Sequence, residues 1–190
     1  QPINFYGPVE TLDVARQLIQ LTYGEIAFRV LDHAHFHPVE PEQPYTIAGY
    51  NITFFEVEHR VVTYAVRLEH EGKVFAFSAD SKPCQNVVRC ARNADLFLCD
   101  AICSSNDDPE RVKQSRALAH PTADEAAQMA QEASAKSLGL VHLARYATPE
   151  KMMAEATDIF RGPVHIPDDN HCYEISPLSN PCPRCRTTSY

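Results

Sequence analysis

The sequence has no excess of positive charge and no long apolar run. Its 190 residues include 17 lysines and arginines against 25 aspartates and glutamates, which gives a formal net charge of -8. There is therefore no overall basic surface to attract a polyanion non-specifically. No apolar run approaches the length of a membrane span, and the opening QPINFYGPVE has no basic region followed by an apolar core. We expect a cytoplasmic protein with no membrane partner.

The cysteines are scattered and odd in number. Four of the seven lie in apolar or amphipathic segments of the middle region, where free cysteine behaves as a small buried hydrophobe. This pattern predicts free thiols and not a disulfide framework. Cys182 and Cys185 form a single C-x-x-C pair, which alone is a weak signal for zinc binding or redox chemistry. We predict one domain over residues 1–175 and a flexible tail over residues 176–190.

The apolar pattern of the first half predicts one helix and several strands. INFY is expected to form a short strand that ends at Gly7-Pro8, and ETLDVARQLIQLT has its apolar residues at helical spacing. Short β-branched and aromatic runs then predict consecutive strands with antiparallel connections. These runs are EIAFRVL, NITFFEVEH, VVTYAVRLEH and KVFAFSAD, and EHEGK is the predicted hairpin turn between the last two.

The second half returns to alternating strands and helices, which completes a mixed α/β pattern with helices layered on a sheet. A helix is predicted from Pro83 to Arg92. Two later helices have clear start signals, which are the capping box of Thr122 with Glu125 and the pair Thr148-Pro149. The predicted strands of this half are DLFLCDA, LGLVH, PVHI and CYEI, and SSNDDPE is predicted to be a polar loop.

Five polar residues lie at the ends of predicted strands or at the start of a helix: His59, Asp80, Asp100, His120 and His142. In layered α/β folds, ligand-binding groups gather where strands end and loops begin. Histidines that converge with a carboxylate suit a divalent transition metal, because imidazole binds zinc, manganese or iron and an aspartate can bridge two ions. Each residue alone has an ordinary interpretation as a turn or helix-capping residue. The complete set favours a metal site.

The stretch VEHRVVTYAVRLEHEGKVFAFSADSKPCQNVVRCARNADLFLCDA, with AHPTADEAAQMA and LGLVHLARY after it, resembles the second half of a metallo-β-lactamase-fold hydrolase of the ribonuclease Z-like branch. INFYGPVET is similar to the strand and Gly-Pro turn that follow the first metal motif of that family. The resemblance implies an αββα-type layered sandwich with a mixed sheet. The matching positions are His59, Ser78-Ala79-Asp80-Ser81, Cys99-Asp100-Ala101, His120-Pro121-Thr122 and Val141-His142-Leu143.

The resemblance also implies roles for these residues and a two-metal site. His59 would bind one metal, Asp80 would bridge both and His142 would bind the other, with zinc as the first choice and manganese or iron as alternatives. His120, supported by Asp100, would stabilise or protonate the leaving oxygen. A metal-bridging hydroxide would then attack a phosphodiester or a related ester.

The first motif of the family, His-x-His-x-Asp-His, belongs upstream of INFYGP, so we expect the N-terminal part of the domain to be missing from this sequence. Three interpretations stay open. The chain is a piece of a longer enzyme, or it is a natural partial copy, or its remaining ligands come from elsewhere. His33, His35 and His37 are the other histidine-rich segment, and an extended strand would place all three imidazoles on one face.

Two classes of function follow from these interpretations. The first is a metal-dependent hydrolase that acts on a small-molecule or nucleotide-type ester, and the net charge does not favour an RNA substrate. The second is a degenerate or truncated, non-catalytic module used for dimerisation or partner binding. A partial domain would expose an apolar sheet face, and for that reason we predict a homodimer.

Overall fold

The computed structural model describes residues 2–26, 29, 31–169 and 172–175. A small sheet at the start of the chain pairs β1 (Ile3–Gly7) with β2 (Ala34–Pro38) in parallel. The helix α1 (Val9–Tyr23) follows β1, as predicted, and a 3-10 turn (Gly24–Ile26) ends it. The strand predicted for EIAFRVL is therefore wrong at its described residues, since Glu25 and Ile26 belong to the 3-10 turn and Arg29 and Leu31 are helical. Ala27, Phe28 and Val30 lie outside the described residues. Gly24 leaves the helix with φ of 52°, and such exits often continue into a 3-10 turn.

The large sheet has seven strands in the described part of the chain, and they are neighbours in sequence order. The first three pairings are antiparallel and the last three are parallel, with the fourth strand taking part in both kinds, so the predicted mixed sheet is confirmed. Its strands are β3 (Pro44–Ile47), β4 (Tyr50–Val57), β5 (Thr63–His70), β6 (Lys73–Phe77), β7 (Leu96–Asp100), β8 (Leu138–Val141) and β9 (Val164–His165).

The hairpin between β5 and β6 is the predicted EHEGK turn. His70 pairs with Lys73, which leaves Glu71 and Gly72 as a two-residue loop with φ of 48° and 73°. A turn with positive φ at both central residues has a backbone twist that matches the right-handed twist of the two strands it joins. This turn fixes the register of β5 against β6.

Four helices of the described chain follow β6: α2 (Gln85–Ala91), α3 (Pro109–Ala117), α4 (Ala123–Glu132) and α5 (Pro149–Ile159). Three of them are where the sequence predicts them. The backbone N–H of Thr122 donates to Glu125 at 3.0 Å, which confirms the capping box of α4. Pro149 occupies the first turn of α5 after Thr148, as predicted.

Two predictions for the second half are wrong. The helix α3 begins within the predicted polar loop, because the Asp108 carboxylate accepts the N–H groups of Glu110 and Arg111 and Pro109 occupies the first turn. Cys172–Ile175 is not a strand. Side-chain contacts hold that segment instead of a strand ladder, since the ring of Tyr173 stacks on His165 with centroids 5.3 Å apart.

The core lies between the large sheet and the helices that follow β6. Its largest fully buried side chains include Phe97, Leu138, Leu140 and Met152. The buried face of α4 consists mostly of alanines, and small side chains allow close packing. The five cysteines of the described residues are free thiols, as predicted, whereas Cys182 and Cys185 lie outside the described residues. No helix in the described part of the chain combines the length and the hydropathy needed to span a bilayer.

Candidate metal centre

Three neighbouring parallel strands end at the same edge of the large sheet. Asp100 is the last residue of β7, Asp80 follows β6 by three residues, and His142 comes directly after β8. Asp100 pairs with Val141 across the sheet, which brings His142 close to that carboxylate. Carboxyl ends of parallel strands are the usual place for a ligand site in an α/β fold.

Asp100 is the centre of the polar contacts, with only 1% of the residue exposed. One carboxylate oxygen lies 2.7 Å from Nδ1 of His120, and the other lies 3.3 Å from Nδ1 of His142. The backbone N–H of Ser81 donates to the first of these oxygens at 3.3 Å. Burial raises the pKa of the Asp100 carboxyl above its ordinary value, although both histidines act in the opposite direction. A buried acid that contacts two imidazoles can orient both rings.

The remaining two predicted residues, Asp80 and His59, lie next to these histidines. Nδ1 of His142 lies 3.4 Å from an Asp80 oxygen, and the rings of His59 and His120 have centroids 5.4 Å apart. The rings of His120 and His142 are 4.9 Å apart. Asp80, His120 and His142 each offer a possible ligand atom, and these atoms lie within 4.8 Å of one another. One N,N,O donor set is therefore present before any further ligand is counted.

The imidazole of His59 lies beside this cluster but does not belong to the group of three donors that lie within 4.8 Å of one another. Its Nδ1 is buried and has no hydrogen-bond partner among the described residues. A buried polar atom without a partner is costly, and such atoms in folded proteins call for a specific explanation. A neutral imidazole nitrogen is a preferred zinc ligand, and carboxylate and imidazole together match zinc and other first-row metals. The donor set and the unpaired nitrogen fit a divalent ion.

The backbone around the cluster adopts left-handed conformations at residues other than glycine. Ala79 before Asp80 has φ of 52°, Ala119 before His120 has φ of 71°, and His142 itself has φ of 66°. Each such position costs about 1–2 kcal/mol for an L-residue with a Cβ. Local strain of this kind is frequent where side chains must be aimed at a functional site.

The five predicted site residues lie together, and the three histidines near β2 do not join them. His35 and His37 belong to the small sheet, where Nε2 of His37 is 2.8 Å from the Asn4 side-chain oxygen and its ring stacks on Tyr6 at 4.7 Å. In the described residues, none of the three belongs to a cluster of three or more metal-ligating side chains. The hypothesis that they complete the site is not supported.

Sequence reasoning missed two features of the cluster. It assigned Asp100 to His120 alone, whereas the carboxylate also contacts His142. It assigned His120 to proton transfer, whereas the ring also lies among the possible ligand atoms. The parallel neighbourhood of DLFLCDA and LGLVH was the signal for the first feature. The second depends on the loop after α3 and has no local signal.

A cavity of about 520 Å³ opens beside His59. Arg60 and Lys82 line it together with Glu56 and Glu58, so the positive and negative formal charges of the described lining are equal in number. A larger cavity of about 700 Å³ lies at the opposite end of the parallel strands, next to Asp95, and contains none of the five residues. The smaller cavity is the one adjacent to the cluster.

Comparisons with known proteins agree with this fold. A model of the beta-lactamase superfamily domain matches residues 1–143. A ribonuclease Z of Myxococcus xanthus is 37% identical over 106 residues, which is 55% of this chain and 33% of that protein. The probable metallo-hydrolase YhfI of Bacillus subtilis is 27% identical over 135 residues, which is 71% of this chain and 53% of that protein. The chain thus spans between a third and about half of these relatives.

Two solved structures have the same fold. The crystal structure of YhfI from Bacillus subtilis, a metallo-beta-lactamase fold protein, superposes with a TM-score of 0.71 and 26% identity, and the match covers 88% of this chain and 63% of that one. Human tRNase Z, short form, superposes with a TM-score of 0.67 over 93% of this chain and 68% of that one. Its identity of 18% makes it a comparison of fold alone.

Proposed function

The chain belongs to the metallo-β-lactamase superfamily, and we propose that it carries the metal-binding and proton-transfer residues of a hydrolase for a phosphodiester or a related ester. The observation that carries the proposal is the convergence of Asp80, His120 and His142 within 4.8 Å, beside a buried Asp100 and the unpaired Nδ1 of His59. The similarity to a ribonuclease Z gives independent support for the ester class.

His59, Asp80 and His142 are the residues that we propose as metal ligands. When bound, a divalent metal supplies a Lewis acid and lowers the pKa of water. The two imidazoles contribute neutral nitrogen donors, and Asp80 contributes the negative charge that helps to retain a cation. Zinc remains our prediction for the metal, with two ions in a complete site.

His120 is proposed to donate a proton to the leaving oxygen of the substrate. The Asp100 carboxylate, 2.7 Å from Nδ1, holds the ring and stabilises the charged imidazolium, so that Nε2 is the nitrogen available to a substrate. The same contact would also suit a metal-binding histidine, because such residues usually donate their second ring N–H to a carboxylate. A His120→Ala variant distinguishes the two roles, since it keeps the metal only if His120 acts in proton transfer.

The cavity beside His59 is the proposed place for the organic part of the substrate. Its balanced charge gives no support to a polyanion, so a small-molecule or nucleotide-type ester stays the preferred substrate class. A cytoplasmic location and a homodimer also stay predictions.

A non-catalytic binding module is the second candidate, and exposed apolar side chains on α1 favour it. Val14, Leu18 and Leu21 are 54%, 56% and 82% exposed. Their spacing of four and three residues places them on one side of the helix. Such a stripe on a surface helix is typical of a contact surface.

The metal content of the purified chain tests the proposal. We expect near-stoichiometric zinc, manganese or iron by elemental analysis, and its loss in Asp80→Ala. The matched control is Asp158→Ala, which removes an exposed aspartate of α5. Absence of metal from the unaltered chain, also after incubation with zinc, would favour the binding module. If metal is bound, assays on an aryl phosphodiester follow.

A further inference from the structure

We propose that Tyr146 and Ser115 form a positioning pair that fixes His120 relative to His142. The inference rests on the proposed function for the tasks of the two histidines, but the pair itself is argued from contacts outside the cluster. Tyr146 lies four residues after His142, and Ser115 lies five residues before His120. The two site histidines are thus connected by a side-chain contact between the segments that carry them.

The hydroxyl groups of the two residues are 3.0 Å apart. Ser115 lies on α3 and is only 3% exposed, whereas Tyr146 lies on the loop between β8 and α5 and is 37% exposed. The guanidinium carbon of Arg111 lies 4.7 Å from the centre of the Tyr146 ring. Tyr146 is therefore held to α3 both at its ring and at its hydroxyl.

The hydrogen-bonding capacity of Ser115 determines the direction of this contact. Its hydroxyl donates its single proton to the Arg111 carbonyl at 2.9 Å, so Tyr146 must donate to the Ser115 oxygen. Sγ of Cys103 lies 3.8 Å from the same oxygen. Burial raises the pKa of the Cys103 thiol, which keeps it protonated and able to donate. The single donor and both acceptor sites of the buried Ser115 hydroxyl are thus used.

Ser115 also contacts the segment that leads to His120. Its carbonyl accepts the backbone N–H of His120 at 3.2 Å, across the left-handed residue Ala119. On the other side, the loop from His142 to Tyr146 begins with a left-handed residue, His142 itself. Such conformations persist only where the surroundings enforce them. The Tyr146–Ser115 bond is a constraint that acts on both segments at once.

Loss of the tyrosine hydroxyl leaves other connections between the two segments. The N–H of Ala144 donates to the Ile102 carbonyl at 2.9 Å, and the N–H of Ile102 donates to the Pro121 carbonyl at 3.0 Å. We therefore expect Tyr146→Phe to fold and to keep its ring beside Arg111. The variant would change the relative placement of His120 and His142 without removing either ring.

The experiment compares Tyr146→Phe, Ser115→Ala and the double variant in the full 190-residue chain. The matched control is Tyr45→Phe, which removes a phenol on the edge strand β3 that accepts the Glu40 N–H at 2.8 Å. The first readout is affinity for zinc and cobalt(II), measured by competition with a chelator. The second is the NMR signal of the His120 ring proton that faces Asp100, recorded without metal.

We expect each single variant to weaken zinc binding by about tenfold, as loss of an outer contact of a metal site does. The double variant should bind zinc no more weakly than the single variant with the larger loss of affinity, because the two hydroxyls form one bond. The His120 ring proton should shift or broaden in all three variants and stay unchanged in Tyr45→Phe.

Unchanged affinity and an unchanged ring proton in the Tyr146 and Ser115 variants would overturn the inference, whatever happens to thermal stability. Failure of the proposed metal site is a separate result. If the unaltered chain binds no metal, the metal-free NMR signal still decides whether the pair positions His120.

Discussion

Strand β7 has an aspartate at each end, and the two carboxylates differ in the side chains that contact them. Asp95, just before Leu96, lies 2.8 Å from Nζ of Lys136 and 3.6 Å from Nζ of Lys73. It also accepts the N–H of Val74 at 2.8 Å. Burial acts to raise the pKa of its carboxyl, but these partners together bring the pKa below the ordinary value. Asp95 is a satisfied structural ion pair.

Asp100, at the other end of the strand, has no lysine or arginine in an ion pair with it in the described chain. Its side-chain partners are imidazoles, and burial raises the pKa of its carboxyl. The same residue type on one strand is thus a structural group where lysines reach it and a candidate functional group where histidines surround it. Perturbed acids of the second kind are concentrated at functional sites.

Removal of a histidine at each end of the parallel strands should give the largest difference. We expect His142→Ala to lose the bound metal completely, because the ring is one of the three clustered donors. His165→Ala, in β9 at the opposite end, should keep it. Elemental analysis after gel filtration measures both. Equal metal content in the two variants would remove the distinction between the two ends.

Replacement of each aspartate by asparagine is the next largest test. Asp100→Asn should lower zinc affinity by about 10–100-fold, since the amide cannot supply the carboxylate contact to both imidazoles. Asp95→Asn should leave zinc affinity unchanged and reduce stability instead. Chelator competition and urea unfolding of the same samples separate the two effects. A loss of affinity in Asp95→Asn would show that the acids are not independent.

The pH dependence of stability should reveal the ion pair at Asp95. Because the folded pKa lies below the unfolded value near 3.8, the contribution of Asp95 is fully present above that value. It is lost as the pH falls through the folded pKa. At pH 7 we expect Asp95→Asn to cost about 1–3 kcal/mol, the range for loss of a charged hydrogen-bond partner. Urea unfolding from pH 7 to below 3.8 should show the stability difference between the two proteins decrease, and a constant difference would contradict the assignment.

Much of this contrast between the two ends of the parallel strands can be predicted from the sequence, because it depends on which residues end each strand. Asp80, Asp100 and His142 follow apolar runs that predict strands, and parallel neighbours deliver such residues to one edge. The capping box at Thr122 likewise locates the start of α4 and places His120 just before it. Local patterns of this kind determine which residues can meet.

Contacts made only by tertiary packing are not accessible in this way. The helix α3 has few buried residues, so its apolar periodicity is weak and its start signal at Asp108 is its main trace in the sequence. The position of the His120 ring among the possible ligand atoms depends on the loop after α3, which has no local signal. The histidines of β2 illustrate the opposite error, because a dense local motif lies in a separate two-stranded sheet.

The smallest expected effect concerns the backbone that aims Asp80. Ala79 has φ of 52°, so Ala79→Gly should relieve steric strain and raise stability by up to about 1 kcal/mol, after the greater freedom of glycine in the unfolded chain is subtracted. The matched control is Ala154→Gly at an exposed position of α5, which should lower stability by about 1 kcal/mol. Urea unfolding measures whether each variant is more or less stable than the unaltered chain. A destabilising Ala79→Gly would mean that the left-handed turn before Asp80 stores no strain. The rigidity of the sheet edge where β6, β7 and β8 end would then have to come from Asp100 and its hydrogen bonds alone.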